Sequence, residues 1–341
     1  MQDSVATILE KLYANQSLTI AESQLIFSTV VQGAMDPIIL SSVLTALKIR
    51  GEQPDEIAGA AQALLAAATP FPAVDELHAD CCGTGGDNMN TINISTTAAF
   101  VAAACGLKMV KHGNRSVSSK SGSSDLLEAF GINLTQSPEH AKACLDELGI
   151  CFLFAPQYHA GIRHAMPVRQ TLKTRTIFNL LGPLLNPSRP QVQLMGVYDE
   201  SLLRPIAETM HKLGVQRAIV VHGSGLDEIA LHGTTQVAEL NNGEITEYSL
   251  SPADFGVEQY DVSALRGGDA AENKIIIERL LSGNGTAAQK AAVAINVSAL
   301  LVIAGIATDF KQGTTLAMTA IDNGSALALI QQLAIRSQIT A

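Results

Sequence analysis

Apolar residues recur at helical spacing through the first 68 positions. Ile8, Leu9 and Leu12 form one stripe, Leu25, Ile26 and Val30 a second, and Leu40, Val43, Leu44 and Leu47 a third. Ser17 and Thr19 offer capping positions ahead of Glu22, and Pro54-Asp55-Glu56 reads as a helix start opening the Ala-rich run 57–68. Thr69-Pro70-Phe71-Pro72 breaks the pattern and marks a hinge. Beyond it, short apolar runs alternate with helical ones. Residues 107–110, 151–154, 192–197 and 218–221 read as strands, with helices over 96–105, 124–130, 138–148 and 201–213. A surface loop at 266–269 precedes two more helices, over about 270–282 and 286–306. This alternation predicts an α/β fold with helices packed on a central sheet, preceded by a small all-helical N-terminal domain. Ligand groups in such sheets gather at the carboxyl ends of the strands.

Composition supports that division. A chain of 341 residues exceeds what one core usually organises, and 47% apolar content with a mean hydropathy of +0.22 leaves ample material for burial. Residues 1–16 read as an amphipathic helix without the apolar stretch of a signal peptide. The most membrane-like run, 291–307, is interrupted by Asn296 and Ser298 and is short for a span, so it reads as a buried helix and no membrane partner is expected. Five cysteines (Cys81, Cys82, Cys105, Cys144, Cys151) are odd in number and lack CxxC spacing. They argue against a disulfide framework or a zinc knuckle and for a reducing cytoplasm.

Charge changes the picture more by its distribution than by its total. A net charge of −10 disfavours nucleic acid as a partner. Yet no carboxylate lies between Asp87 and Asp125, where Lys108, Lys111, Arg115 and Lys120 occur. None lies between Glu147 and Asp199 either, where Arg163, Arg169, Lys173, Arg175 and Arg189 occur. These segments hold nine of the 22 cations and none of the 32 acids, leaving 32 acids against 13 cations elsewhere. An anionic small molecule as ligand explains why an acidic chain keeps two stretches free of carboxylates.

The candidate chemistry falls in the same stretches. KHGNRSVSSKSGSSD at 111–125 combines six serines, two glycines and three basic side chains besides His112, with no apolar periodicity. Hydroxyls, amides and cations at that density suit a polyanion, and the other reading is a Ser/Gly linker. Cys82-Gly83-Thr84-Gly85-Gly86-Asp87 follows a strand and lets backbone amides approach a ligand, although a glycine turn alone is ordinary. It fits neither the dinucleotide fingerprint nor a Walker loop. Asn93-Ile94-Ser95-Thr96 follows, ahead of an Ala-rich helix, and a helix start capped by Ser or Thr would serve an anion. Asp227 and Glu228 sit side by side after the strand at 218–221. They are either an acidic helix start or, near an anionic ligand, ligands to Mg²⁺. Arg163, His164 and Arg169 surround Met166-Pro167, where Pro167 reads as the first residue of a helix that could aim an arginine at a carboxylate. The histidines show neither metal-ligand spacing nor a triad signature.

Taken together, GTGGD at 83–87, NIST at 93–96, KHGNRSVSSKSGSSD at 111–125, HAMPVR at 164–169 and LDE at 226–228 resemble anthranilate phosphoribosyltransferases, in order and spacing over essentially the whole chain. The run at 111–123 is the specific part, because pyrimidine-nucleoside phosphorylases carry a related glycine loop. Their Lys-His-Ser element is absent, and Ala79-Asp80-Cys81-Cys82 stands in its place. The resemblance implies transfer of phosphoribosyl from phosphoribosyl diphosphate to the amine of anthranilate, in tryptophan biosynthesis, by a homodimer. It also implies a helical domain over 1–70, joined by a segment at about 155–182, and an α/β domain over 73–341.

By matching motif, the resemblance implies that phosphoribosyl diphosphate is contacted by Gly83, Gly86, Asp87, Thr91, Asn93, Ile94, Ser95, Thr96, Lys111, His112, Gly113, Asn114, Arg115, Ser116, Val117, Ser118, Ser119 and Ser123. Gly83, Asn114 and Arg169 would bind anthranilate, with His112, His159 and Pro183 as further candidates for lining its path. Ser95, Asp227 and Glu228 would hold Mg²⁺, and no residue is assigned as a general base. Two other readings stay open at this point: a pyrimidine-nucleoside phosphorylase on the same fold, and a non-catalytic relative that binds nucleic acid.

Overall fold

The computed structural model describes residues 2–87, 89–115 and 120–338. Four helices open the chain: α1 (Gln2–Tyr13), α2 (Ile20–Val31), α3 (Pro37–Arg50) and α4 (Pro54–Ala66). Their starts follow from local chemistry. Thr19 caps α2 through a reciprocal pair with Glu22, and Pro54 opens α4 where its missing N–H costs nothing. Buried Glu56 accepts the Leu18 N–H at 2.8 Å and pairs with Arg50, which ties the loop between α1 and α2 to α4.

The sheet has seven strands: β1 (His78–Gly83), β2 (Lys108–Gly113), β3 (Ile150–Phe154), β4 (Val192–Gly196), β5 (Arg217–Gly223), β6 (Thr235–Asn241) and β7 (Glu244–Leu250). Their order is β3-β2-β1-β4-β5-β6-β7; the first five are parallel and the last two add antiparallel at one edge. The chain runs outward from β1 through β2 to β3, then returns to place β4 on the other side of β1. The ends of β1 and β4, where Gly83 pairs in register with Gly196, are therefore the switch point at which such sheets receive ligands.

Two cores flank the sheet. On one face, α5 (Ile94–Ala104) and the helix Ala287–Ile303 bury Phe100, Leu300 and Ile219 together. The second helix is the apolar run expected to be internal. Its Asn296 and Ser298 are fully buried because each is used: Asn296 Oδ1 accepts the Ile229 N–H at 3.2 Å, and the Ser298 hydroxyl donates to the Phe310 carbonyl at 2.6 Å. No single helix of the described residues is long and apolar enough to cross a membrane. On the other face, Ile26, Leu44 and Ile57 of the N-terminal helices share one core with Ile177, Phe178 and Leu181, and with Met195, Val220 and Ala238 of the sheet.

The sequence pattern missed two features. One is the β6–β7 hairpin, which turns at Asn242 and Gly243 with φ of 49° and 96°, the left-handed pair that a tight hairpin needs. The other is the pair of helices Phe310–Asp322 and Ser325–Arg336.

Candidate active site

β5 ends in a reversal that brings the two acids to the switch point. Ser224 and Gly225 adopt φ of 50° and 97°, and Gly223 and Leu226 exchange hydrogen bonds of 2.9 and 3.0 Å across the turn. This folds Asp227 back over the ends of β1 and β4. A Cβ at Gly83 would overlap the Asp227 carboxylate, and one at Gly196 its main chain, so both strands end in glycine for want of space. The Gly85 N–H donates to Asp227 Oδ2 at 2.6 Å. Glu228 Oε1 accepts the Ser95 N–H, in the first turn of α5, at 3.2 Å.

Two expectations are corrected here. Residues 227 and 228 do not begin a helix; they lie in the chain leaving the turn. Nor does Ser95 or Thr96 cap α5. The N-cap is Asn93, whose side chain instead bridges the Ser121 carbonyl at 3.1 Å and the Asn273 amide at 2.8 Å, and Glu228 meets the helix start in place of a hydroxyl.

The acids are held against their charge. Asp227 is only 8% exposed, and its pKa is pushed up to about 7, first by burial and then by Asp87. Glu228 is pushed up to about 8 by burial and by Asp227, with Lys111 opposing. Lys111 itself is 3% exposed, and its ammonium donates to the Cys81 carbonyl at 2.6 Å, so it lies beneath the glycine loop rather than open to solvent. Below it, buried Asp80 accepts the Cys81 N–H at 2.8 Å and the Asn186 amide at 2.9 Å, and Asn186 also donates to the Val110 carbonyl at 2.7 Å. This polar network clamps β1 to β2 directly under the site. Sequence reasoning passed over Asp80 and Asn186, and their one visible signal is an acid inside an otherwise apolar strand.

The remaining expected residues surround this centre unevenly. Thr91 bridges to Arg266, and buried Ile94 begins α5. His112 and His159 are buried edge to face, with ring centres 5.3 Å apart. Burial, with His159 and Lys111 adding to it, pushes the His112 pKa down to about 3; burial lowers that of His159 as well. His159 Nε2 meets the Leu185 carbonyl at 2.7 Å, while His159 Nδ1 and His112 Nε2 have no hydrogen-bond partner among the described residues. Pro183 is buried nearby, its carbonyl accepting from Gln193.

Gly113 ends β2, Asn114 is exposed, and the Asn114 carbonyl accepts the Ser123 hydroxyl at 3.2 Å. Arg115 pairs with Glu128 at 2.7 Å and Asp125 at 3.2 Å, so it is turned toward the helix Ser123–Ala129. Ser116, Val117, Ser118 and Ser119 lie outside the described residues. Arg169 is half-buried on the helix Met166–Leu172, of which Pro167 is the second residue rather than the first. Its guanidinium lies 5.0 Å from the Phe178 ring centre. Burial is what lowers its pKa, with no acid opposing, so this cation is desolvated and ready for an anion.

Comparison with known proteins agrees with this geometry. Residues 6–68 match the helical bundle domain of the glycosyl transferase family, and residues 75–327 match its a/b domain. An anthranilate phosphoribosyltransferase of Vibrio cholerae is 63% identical over 330 residues, covering 97% of this chain and 99% of that protein. One of Psychromonas ingrahamii is 64% identical over 335 residues, covering 98% of each. The crystal structure of anthranilate phosphoribosyltransferase from Thermus thermophilus superposes with a TM-score of 0.93 at 38% identity, covering 97% of this chain and 99% of that one. That of the Saccharomyces cerevisiae enzyme in complex with PRPP and Mg superposes with a TM-score of 0.88 at 27% identity, covering 99% and 98%. With a glycine loop, a helix start and an acid pair meeting at the switch point of its sheet, the chain belongs to the anthranilate phosphoribosyltransferases of the glycosyl transferase family.

Proposed function

We propose that this chain transfers the phosphoribosyl group of 5-phosphoribosyl 1-diphosphate to the amine of anthranilate, giving N-(5-phosphoribosyl)anthranilate and diphosphate, in tryptophan biosynthesis. The observation that carries the reading is the meeting of the 83–87 loop, the α5 start, and Asp227 and Glu228 at the ends of β1, β4 and β5. Backbone amides of the 83–87 loop and of the α5 start bind phosphoryl oxygens, joined by the hydroxyls of Ser116, Ser118, Ser119 and Ser123. Asp227 and Glu228 fit Mg²⁺ as hard oxygen donors whose pKa values are raised first by burial and then by neighbouring carboxylates. With Ser95 they would hold it, and when bound it neutralises charge on the departing diphosphate. Arg169 pairs with the carboxylate of anthranilate, and Asn114 orients the ring beside it. The aromatic amine is uncharged at neutral pH, so its lone pair needs no base to free it. Positioning and leaving-group stabilisation supply the rate.

The segment at 155–182 is proposed to belong to the helical domain over 1–70, on the ground of the core that Ile177, Phe178 and Leu181 share with Ile26, Leu44 and Ile57. The remaining α/β domain would run over 73–341. A homodimer through the helical domain is supported by α3, where Ile38 and Ile49, each 81% exposed, lie eleven residues apart on one outward face. Free cysteines throughout the described residues suit the cytoplasm. The test is anthranilate consumption, followed by its fluorescence, with phosphoribosyl diphosphate and Mg²⁺. Rapid consumption that needs both is expected, and well-folded protein that consumes none would sink the reading.

A further inference from the structure

Six residues beyond Arg169, a second arginine reaches the glycine loop. The helix Met166–Leu172 closes at Lys173, whose φ of 47° turns the chain sharply. Arg175 then projects onto the glycine loop, where its Nη2 donates to the Gly86 carbonyl. Its guanidinium lies flat enough on Tyr198 to place Cζ 3.9 Å from the ring centre. On the side away from the loop, the Arg175 carbonyl accepts from Lys48 Nζ of α3 at 2.9 Å. The glycine at 86 is required by its φ of +84°, and a Cβ there would stand 2.8 Å from Arg175 Nη2, so any other residue would also displace the guanidinium.

The base of the loop is fixed separately. The Thr84 N–H donates to the Gly196 carbonyl at 3.0 Å, and the Thr84 hydroxyl accepts the Tyr198 N–H at 3.1 Å. Arg175 therefore acts on the distal half of the loop. A trans peptide points its carbonyl and N–H in opposite directions, so drawing the Gly86 carbonyl toward Arg175 aims the Asp87 N–H away from it. The orientation of a loop amide is thus set by a side chain from the segment that carries the acceptor-binding arginine.

We propose that Arg175 is a positioning residue. It holds the 83–87 loop in the form that receives phosphoribosyl diphosphate, and Lys48 and the Tyr198 ring hold Arg175. The inference rests on the reading that this loop binds the diphosphate. It adds that the loop is ordered from the helical side, so that the two substrate sites share one support.

The test uses the full chain with Arg175→Ala, Arg175→Lys and Tyr198→Leu. Phosphoribosyl diphosphate with Mg²⁺ is titrated by calorimetry, and KM and kcat are measured for both substrates. Loss of a charged hydrogen bond and its stacking should raise KM and Kd for phosphoribosyl diphosphate about tenfold in Arg175→Ala. Little change is expected in kcat or in KM for anthranilate at saturating diphosphate. Arg175→Lys should be as impaired, because an ammonium keeps the charge but neither the fork nor the flat face. Tyr198→Leu should weaken wild-type binding but add nothing to Arg175→Ala. Guanidinium ion at non-denaturing concentration should restore binding to Arg175→Ala.

Unchanged diphosphate affinity in Arg175→Ala, or full activity in Arg175→Lys, would overturn the proposal; the second result would make Arg175 a plain charge contact. So would a defect that guanidinium leaves untouched and that tracks the melting temperature across the variants. Wild-type protein that binds phosphoribosyl diphosphate but turns over no anthranilate would instead defeat the acceptor reading, and the same titrations would still decide the role of Arg175.

Discussion

Burial works on the ionisable side chains of this site in both directions, and each has a measurable consequence. His112 is kept neutral, with its pKa pushed down to about 3, whereas an unfolded histidine titrates near 6.5. Between these values the unfolded chain binds a proton that the folded chain refuses. The contribution to stability is therefore full above about pH 6.5 and drains away as the pH falls toward 3. Replacing both His112 and His159 by Asn should flatten the decline in melting temperature between pH 6.5 and 4; melting curves that fall in parallel with wild type would contradict this.

Asp227 and Glu228 are displaced the other way, to about 7 and about 8. Burying these carboxylates is a standing cost to the fold, and repulsion among Asp87, Asp227 and Glu228 adds to it. Asp227→Asn with Glu228→Gln should raise the melting temperature of metal-free protein, by about 2–4 °C per kcal/mol relieved. The same change should lower Mg²⁺-dependent turnover by about 100-fold or more. Melting and rate measurements on one preparation check both, and a double variant that is less stable without metal would show that the acids do not oppose each other. Arg169→Ala should act differently, raising KM for anthranilate while leaving that for phosphoribosyl diphosphate near wild type.

At the scale of elements, the site depends on three strand ends and one reversal fitting without side chains between them. Gly196→Ala would drive a methyl group into the main chain of Asp227, and neither β4 in the middle of the sheet nor the turn after β5 can retreat. A cost of about 3 kcal/mol or more is expected, read from chemical denaturation, with loss of turnover. Full stability in that variant would mean that the turn is free to move.

The same fit explains what could be read from the chain. The helix starts at Thr19 and Pro54 and the run 287–303 were legible because local chemistry alone sets them. The candidate residues were legible as types, since an acid-free stretch and a glycine loop announce an anion. Their partners were not. Nothing in NIST tells that Glu228 would meet the start of α5, or that Lys111 would turn inward to the Cys81 carbonyl, because both depend on strands distant in sequence. The β6–β7 hairpin escaped because β7 lies at the sheet edge and is largely exposed, so its apolar alternation is faint.

For the whole molecule, two exposed isoleucines on the helical side make assembly testable by itself. Ile38→Glu with Ile49→Glu should convert a dimer to a monomer in light scattering while leaving the fold intact, because both side chains are 81% exposed in the single chain. A monomeric wild type would refute the dimer, and a dimeric variant would move the interface elsewhere.

The core beneath α3 has a consequence for how the chain is made. Ile26, Leu44 and Ile57 are completed by Ile177, Phe178 and Leu181, more than a hundred residues later, and by sheet residues later still. The N-terminal helices leave the ribosome early and pack on one another, but the face they turn to the sheet stays uncovered until the 155–182 segment and β4, β5 and β6 have been synthesised. During that interval the nascent chain exposes the surface that the finished molecule hides, and β1, β2 and β3 can pair meanwhile because they are parallel neighbours closed by their own helices. Synthesis from the N-terminus thus does not imply folding from the N-terminus. The helical domain is the first to be made, but its core closes only after the sheet residues up to Leu240 have followed.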